Sequence, residues 1–202
     1  ASGMLFANGE TVLLDPAWSI LEKAEIAYEK GELGEALAAC EDARQLHSET
    51  MLTYEKKLHT AVTPTVMKRT GGTIPEIRTM MADRNENEAA AILDSVLSVH
   101  DAKYFDNSIE KLMNWLTVRT AYPEADMLCG AIYSAEGEYD LAIKYYLVAW
   151  EQRSLLQLPD ERFTICYRMA DIARVTGDYG SQEQYLLLVL TEDTIFGKPG
   201  KE

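Results

Sequence analysis

The sequence predicts an all-helical protein. Apolar residues recur every three or four positions, almost no stretch alternates apolar with polar residues, and only 6 prolines and 12 glycines interrupt the 202 residues. A chain of this length with 47% apolar residues can bury about 70% of the surface that its unfolded form exposes. We therefore expect about nine helices around a sizeable core.

The charge balance argues against two classes of partner. The 33 acidic residues outnumber the 19 basic ones, which gives a net charge of −14. Such a charge repels phosphate backbones and anionic lipids, and no apolar run approaches the roughly 20 residues that a membrane-spanning helix needs. We expect neither nucleic-acid binding nor membrane insertion.

The first elements follow from their end signals. Residues 1–14 are expected to form an N-terminal arm, and the opening Ala1-Ser2-Gly3 is typical of an expression scar. Asp15 before Pro16 predicts a helix start, because proline fits the first helical turn and the aspartate can accept hydrogen bonds from its free amides. This helix is predicted to end at Gly31.

A long second helix is predicted from Leu33 to about Val62, so that residues 15–62 form a first hairpin with an extended second helix. One face is apolar or neutral at steps of three and four residues. The stripe consists of Cys40, Ala43, His47, Met51, Tyr54, Leu58 and Ala61.

A flexible connection is predicted over residues 63–74. Thr63-Pro64 ends the long helix, and Gly71-Gly72 is typical of irregular backbone. The run from Lys68 to Thr73 could offer glycine amides to a phosphate, but it lacks the spacing of a phosphate-binding loop. We therefore interpret it as a connection.

Contiguous helical hairpins are predicted over residues 75–191. Their helices span residues 75–84, 86–100, 105–121, 124–136, 139–158, 160–176 and 179–190. Pro123 and Pro159 lie at helix junctions, where a missing amide costs little. Residues 192–202 are expected to be a disordered tail.

The chain carries an internal period of 34 residues. Phe105, Ser108, Leu112 and Trp115 are followed at that distance by Tyr139, Ala142, Tyr146 and Ala149, and upstream Val96 and Val99 match Gly130 and Tyr133. Looser copies lie around Ala24–Ala43 and Ala170–Leu186. The repeat unit is therefore a two-helix hairpin. The segment 51–88 has no clean match, which leaves open a degenerate hairpin or a decorated connection.

The copy from Pro123 to Leu156 resembles the tetratricopeptide repeat (TPR) family. Its small and aromatic positions hold Gly130, Tyr133, Ala142 and Tyr146, and Gly137 with Tyr139 opens the second helix. The family tryptophan and proline positions hold Asp126 and Ser154 instead, and the last copy has Gln182 at a small-residue position. The resemblance implies a right-handed α–α superhelix, a solenoid of stacked hairpins.

In this family the first helix of each hairpin lines a concave groove, and the resemblance therefore implies groove residues here. They are Leu93, Leu97, His100, Met127, Leu128, Ala131, Tyr167, Arg168, Asp171 and Arg174. Few are basic, so no clamp for a terminal carboxylate is expected. An apolar middle with mixed charge at one end suits an amphipathic helix or an extended peptide.

No catalytic, metal or cofactor site is predicted. The histidines His47, His59 and His100 form no metal-ligand motif. Cys40, Cys129 and Cys166 are an odd number at long spacings, which fits no disulfide framework and favours a reducing compartment such as the cytoplasm. Since they fall on packed repeat positions, we interpret them as inert small apolar residues.

The sequence thus predicts a non-enzymatic scaffold that binds a segment of a partner protein in its concave groove. Self-association is a variant of this prediction, because solenoid ends and long helices often pair. The alternative is a helical regulatory or sensor domain of a larger multidomain protein.

Overall fold

A computed structural model describes residues 4–7, 10–13 and 17–196, with side chains described over 17–192 apart from Val99. The helices are α1 (Trp18–Glu29), α2 (Leu33–Ala61), α3 (Pro64–Thr70), α4 (Ile74–Asp83), α5 (Asn87–Val99), α6 (Ile109–Val118), α7 (Pro123–Glu136), α8 (Tyr139–Glu151), α9 (Glu161–Thr176) and α10 (Tyr179–Phe196). Two short 3-10 helices span Ala102–Phe105 and Arg153–Leu155. The all-helical prediction is confirmed over residues 17–196.

Two short strands precede the helices. Strand β1 (Met4–Ala7) pairs antiparallel with β2 (Glu10–Leu13), so that Met4 lies opposite Leu13. Both strands fall in the predicted arm 1–14, where no strand was predicted. The predicted tail begins inside α10, and its residues 197–202 lie outside the described residues.

The predicted connection 63–74 contains helix α3 instead of irregular backbone. Thr63 caps this helix by accepting from the amide of Val66, and left-handed Gly71 ends it. The next residues are tied to the start of α6, because Ile74 donates to the carbonyl of Asn107 and the amide of Ile109 donates to the carbonyl of Gly72. The glycines therefore shape a hydrogen-bonded turn.

The predicted helix 105–121 is shorter than expected. Its first residue closes the 3-10 helix Ala102–Phe105, which is capped by the carboxylate of Asp101. Asp106 and Asn107 then adopt left-handed backbone, so α6 begins only at Ile109. The carboxylate of Asp101 binds backbone amides that a continuous α-helix would otherwise use, so the α-helix does not start at residue 105.

The chain divides into two compact units, one of residues 1–20 and 45–121 and the other of residues 21–44 and 122–202. Helix α2 contributes residues to both, so the predicted hairpin 15–62 is shared between them. The first unit has a continuous apolar core. Its largest fully buried side chains are Leu58, Ile74, Ile77, Met81, Leu93, Ile109, Leu112 and Leu116.

One hairpin turn occurs four times within residues 17–196. Its central residue has left-handed backbone, at Gly31 (φ 77°), Asn85 (φ 56°), Gly137 (φ 81°) and Gly177 (φ 78°). The next residue is acidic, and its amide donates to the carbonyl five residues earlier, from Glu32 to Ala27, Glu86 to Met81, Glu138 to Tyr133 and Asp178 to Ala173, at 2.8–3.0 Å. These bonds satisfy the free carbonyls at the helix end, and the next helix begins one residue later.

The four turns define four hairpins: α1–α2, α4–α5, α7–α8 and α9–α10. This differs from the 34-residue alignment, which paired α5 with α6. Helix α5 instead packs on α4, which lies in the segment 51–88 that had no clean match. Asn85 explains the difference, because asparagine tolerates left-handed backbone and occupies the place where the other turns have glycine.

The hairpins of the second unit pack in sequence. Helix α7 contacts α8, α8 contacts α9, α7 contacts α9, and α9 contacts α10. Gly130 on α7 faces the buried ring of Tyr146 on α8, and a Cβ added at Gly130 would lie 3.0 Å from three ring atoms. The close approach of these two helices therefore depends on a residue without a side chain.

We expect Gly130→Ala to lower the free energy of unfolding by about 1 kcal/mol, because overpacking against Tyr146 outweighs the helix propensity of alanine. Urea denaturation followed by circular dichroism measures this change. Gly34→Ala in α2 is the matched control, since a Cβ there meets no atom within 4 Å. It should raise the free energy of unfolding by up to about 1 kcal/mol. A stabilised Gly130→Ala variant would contradict the packing.

Candidate functional site

The three predicted groove residues of the first unit are largely internal. Leu93 is fully buried in the core, so it is unavailable to a ligand. Leu97 is half-buried against the same core. Sequence periodicity placed both on one helix face, but the packing of α5 against α4 turns that face inward.

His100 belongs to an aromatic cluster. Its ring stacks on Tyr104 at 4.2 Å between centroids and meets Trp115 edge-on at 5.4 Å. The guanidinium of Arg119 lies 4.4 Å from the centre of the Trp115 ring. Burial, and then the positive charge of Arg119, lower the pKa of His100. His100 is therefore held by aromatic contacts, and its surroundings favour the neutral imidazole.

The other seven predicted groove residues lie on α7 and α9, which pack against each other in the second unit. We call this set the α7–α9 surface: Met127, Leu128, Ala131, Tyr167, Arg168, Asp171 and Arg174. The three α7 residues are half-buried and the four α9 residues are exposed. The structure thus brings apolar and charged members of the prediction onto adjacent helices.

The exposed side of α9 has an aromatic ring among charges. Tyr167 is 52% exposed. Arg174 pairs with Asp171, with Nη2 3.5 Å from Oδ1. Burial raises the pKa of Tyr146 to about 12, and the charge of nearby Arg168 opposes this rise. Arg168 therefore lies close to the core of its own unit as well as to solvent.

A buried polar cluster, which the sequence did not predict, lies between the start of α2 and α7. Arg44 Nε is 2.9 Å from Asp126 Oδ1, and the Arg44 guanidinium lies 5.3 Å from the centre of the Tyr145 ring. The Sγ of Cys40 is 2.9 Å from that of Cys129 and 3.0 Å from the carbonyl oxygen of Ala125. We call Cys40, Arg44, Asp126 and Cys129 the α2–α7 polar cluster.

Burial dominates the electrostatics of this cluster. It raises the pKa of Asp126 to about 6 although Arg44 lowers it, and the side chain is only 3% exposed. The hydrogen bond to Cys129, and then burial, raise the pKa of the Cys40 thiol. The Cys40 thiol is therefore not set up as a nucleophile at neutral pH, because nucleophilic thiols need a lowered pKa and access to solvent.

A second buried charge cluster anchors α10. Glu192 accepts hydrogen bonds from Nε and Nη2 of Arg153 at 3.1 and 2.9 Å. Nε of Arg162 on α9 lies 3.7 Å from the other carboxylate oxygen, and both Glu192 and Arg162 are buried. Burial also raises the pKa of the nearby Cys166 thiol to about 11. Glu192 lies 39 residues from Arg153 and 30 residues from Arg162 in the sequence, so no local pattern predicted this cluster.

Helix α10 exposes a further apolar stripe. Tyr179, Leu187 and Leu190 are 70%, 51% and 64% exposed. They border a shallow cavity of about 310 Å³ together with Gln182, Glu183 and Leu186. The period-based alignment included Tyr179 and Leu186 as repeat positions, and it carried no information on their exposure.

The described side chains contain no group of three or more His, Cys, Asp or Glu residues that could hold a metal ion. Among the described helices, none has both the length and the apolar character to cross a bilayer.

A protein of Treponema pallidum (strain Nichols), described as uncharacterized, is 33% identical to this chain over 196 residues. The alignment covers 97% of this chain and 52% of that protein. The chain thus spans about half the length of its curated relative. No family model matches the chain. No solved structure is significantly similar to it.

The buried carboxyl of Asp126 predicts a specific pH dependence of stability. Its pKa is raised from 3.8 to about 6 in the folded chain, so the folded state binds more protons than the unfolded state between these values. The contribution of Asp126 to stability is therefore present below about pH 4 and falls as the pH rises to about 6, by about 2 kcal/mol.

The measurement compares wild type with Asp126→Asn by urea denaturation from pH 4 to 7. The wild-type free energy of unfolding minus that of the variant should decrease with rising pH. Exposed Asp140 on α8 supplies the control variant Asp140→Asn, which removes a carboxyl from the surface and leaves the α2–α7 polar cluster intact. A difference that increases with pH would show that the ion pair with Arg44 dominates over burial.

Proposed function

We propose that this chain is a TPR-like helical-repeat scaffold without enzymatic activity. In this proposal the hairpins continue a right-handed superhelix, and the first helix of each hairpin faces a binding groove. The main support is the hairpin turn that recurs four times with the same hydrogen bonds. Repeated hairpins of this kind bury their apolar faces against neighbours and leave extended surfaces for partners.

The non-enzymatic part of the proposal rests on where the titratable groups lie. The thiol of Cys40 and the carboxyl of Asp126 are both buried in the α2–α7 polar cluster. Hydrogen bonding to Cys129 and burial raise the pKa of Cys40, and burial raises the pKa of Asp126. Glu192 is held by two arginines. These groups are engaged in holding helices together, whereas a reaction site needs such groups to converge on an open cavity.

The α7–α9 surface is the proposed binding site. It combines half-buried Met127 and Leu128 with exposed Tyr167, Arg168 and Arg174. Tyrosine and arginine are the residue types that contribute most to protein interfaces, and an apolar strip beside them suits the anchors of an amphipathic helix. The net charge of −14 favours the approach of a basic segment.

A specific observation favours a second candidate, a regulatory or sensor domain within a longer protein. The Treponema relative is about twice as long as the matched region. If this candidate holds, the reading frame that encodes the chain continues into further domains, and the α7–α9 surface binds one of them. Sequencing the intact gene tests it, and a frame that encodes these residues alone would contradict it.

Tyr167→Ala should weaken partner binding at least tenfold, because exposed tyrosines are frequent hot spots. The experiment captures proteins from the native lysate with immobilised wild-type chain and then measures the affinity of the purified captured protein by calorimetry. Tyr179→Ala is the matched control, since it removes an even more exposed ring from α10 of the same unit. It should change affinity less than twofold.

Circular dichroism establishes that both variants remain folded. Equal affinities of wild type and Tyr167→Ala would overturn the α7–α9 surface as the binding site. A loss confined to Tyr179→Ala would instead assign binding to the apolar stripe on α10. Absence of any specifically captured protein would contradict the scaffold proposal itself.

A further inference from the structure

The two thiols of the α2–α7 polar cluster are in direct contact. Cys40 lies on α2 and Cys129 on α7, 89 residues apart in sequence, and their sulfurs are 2.9 Å apart. Both residues are fully buried. We propose that Cys40 and Cys129 form one intrachain disulfide when the chain folds in an oxidising environment.

The geometry of the pair favours this bond. A disulfide requires the sulfurs to be about 2.05 Å apart, so they need to approach by less than about 1 Å. The two cysteines project from different helices toward each other, with the thiol of Cys40 also bonded to the carbonyl oxygen of Ala125. Cys166 lies elsewhere, near Glu192 and Arg153, so it has no role in the pair.

The surroundings argue against a metal as the alternative occupant of the two thiols. A thiolate metal site needs further ligands, and the described residues contain no third His, Cys, Asp or Glu in metal-binding arrangement with the pair. The guanidinium of Arg44, which pairs with Asp126, places a positive charge beside the sulfurs. The neighbouring carboxyl of Asp126 is engaged by Arg44 and is therefore not free to act as a third ligand.

The proposed oxidant is a disulfide of a small thiol, or a thiol oxidoreductase of the same chemistry. One cysteine thiolate attacks a sulfur of the external disulfide, which forms a mixed disulfide and expels one external thiolate. The second cysteine thiolate then attacks the protein sulfur of the mixed disulfide and expels the other external thiolate. Two electrons pass from the cysteines to the oxidant, and the two cysteine protons end on the released thiols.

The bond forms during folding rather than afterwards. In the folded chain both thiols are buried, and hydrogen bonding to Cys129 and burial raise the pKa of Cys40, so little thiolate is available. The same burial protects the finished bond from reductants. The closed loop would contain the whole sequence from 45 to 121, so the crosslink restricts a long stretch of the unfolded chain.

The test refolds the full chain from denaturant in a buffer with reduced and oxidised glutathione. Intact mass and free thiols, counted with a maleimide after unfolding, are then compared with the fully reduced chain. We expect a mass loss of about 2 Da, one remaining thiol instead of three, and a proteolytic fragment that links residues 40 and 129. We also expect the midpoint of thermal unfolding to rise by about 10 °C over the reduced chain.

Matched variants assign the bond. Cys166→Ala should retain the mass loss, whereas Cys40→Ala and Cys129→Ala should abolish it. Three free thiols in refolded wild type, a bond that involves Cys166, or a bond between two copies of the chain would each overturn the proposal. The wild-type thiol count decides the question even if a variant at a buried cysteine fails to fold.

Discussion

The left-handed residue at each hairpin turn is the constraint on which the rest of the described helices depends. It ends one helix by turning the backbone so that the following amide reaches the carbonyl five residues earlier, and the next helix begins one residue later. This geometry brings side chains on the two helices of a hairpin into contact. Gly130 and Tyr146, seven residues before and nine after Gly137, are the clearest example.

Two buried polar clusters add long-range contacts to these local turns. Arg44 with Asp126 joins the start of α2 to α7, and Glu192 with its arginines joins α10 to α9 and to the preceding 3-10 helix. Buried charges are costly unless they are paired, and removing one partner of such a pair leaves an uncompensated buried charge that is strongly destabilising. We interpret both clusters as devices that fix which helices become neighbours.

The sequence predicted the elements that depend on local signals. Apolar periodicity and the glycines at three turns located the helices, and the long α2 agrees with its predicted bounds to within one residue. Asn85 hid the fourth turn because it replaces the expected glycine, and Gly71-Gly72 suggested irregular backbone where they end a capped helix. The contact of Cys40 with Cys129 left no local signal, since it arises only when α2 and α7 pack. Leu93 was wrongly assigned to the groove, because its burial also arises only when helices pack against each other.

The most direct test of the repeated turn is a set of matched alanine substitutions at its four left-handed positions. A Cβ added at Gly31, Gly137 or Gly177 meets no atom within 4 Å, so any cost comes from the backbone alone. Each of the four, including Asn85→Ala, should lower the free energy of unfolding in urea by about 1 kcal/mol, and Gly34→Ala should not. If any of the four substitutions fails to lower the free energy of unfolding, the four turns are not equivalent, and the account of a repeated turn is contradicted.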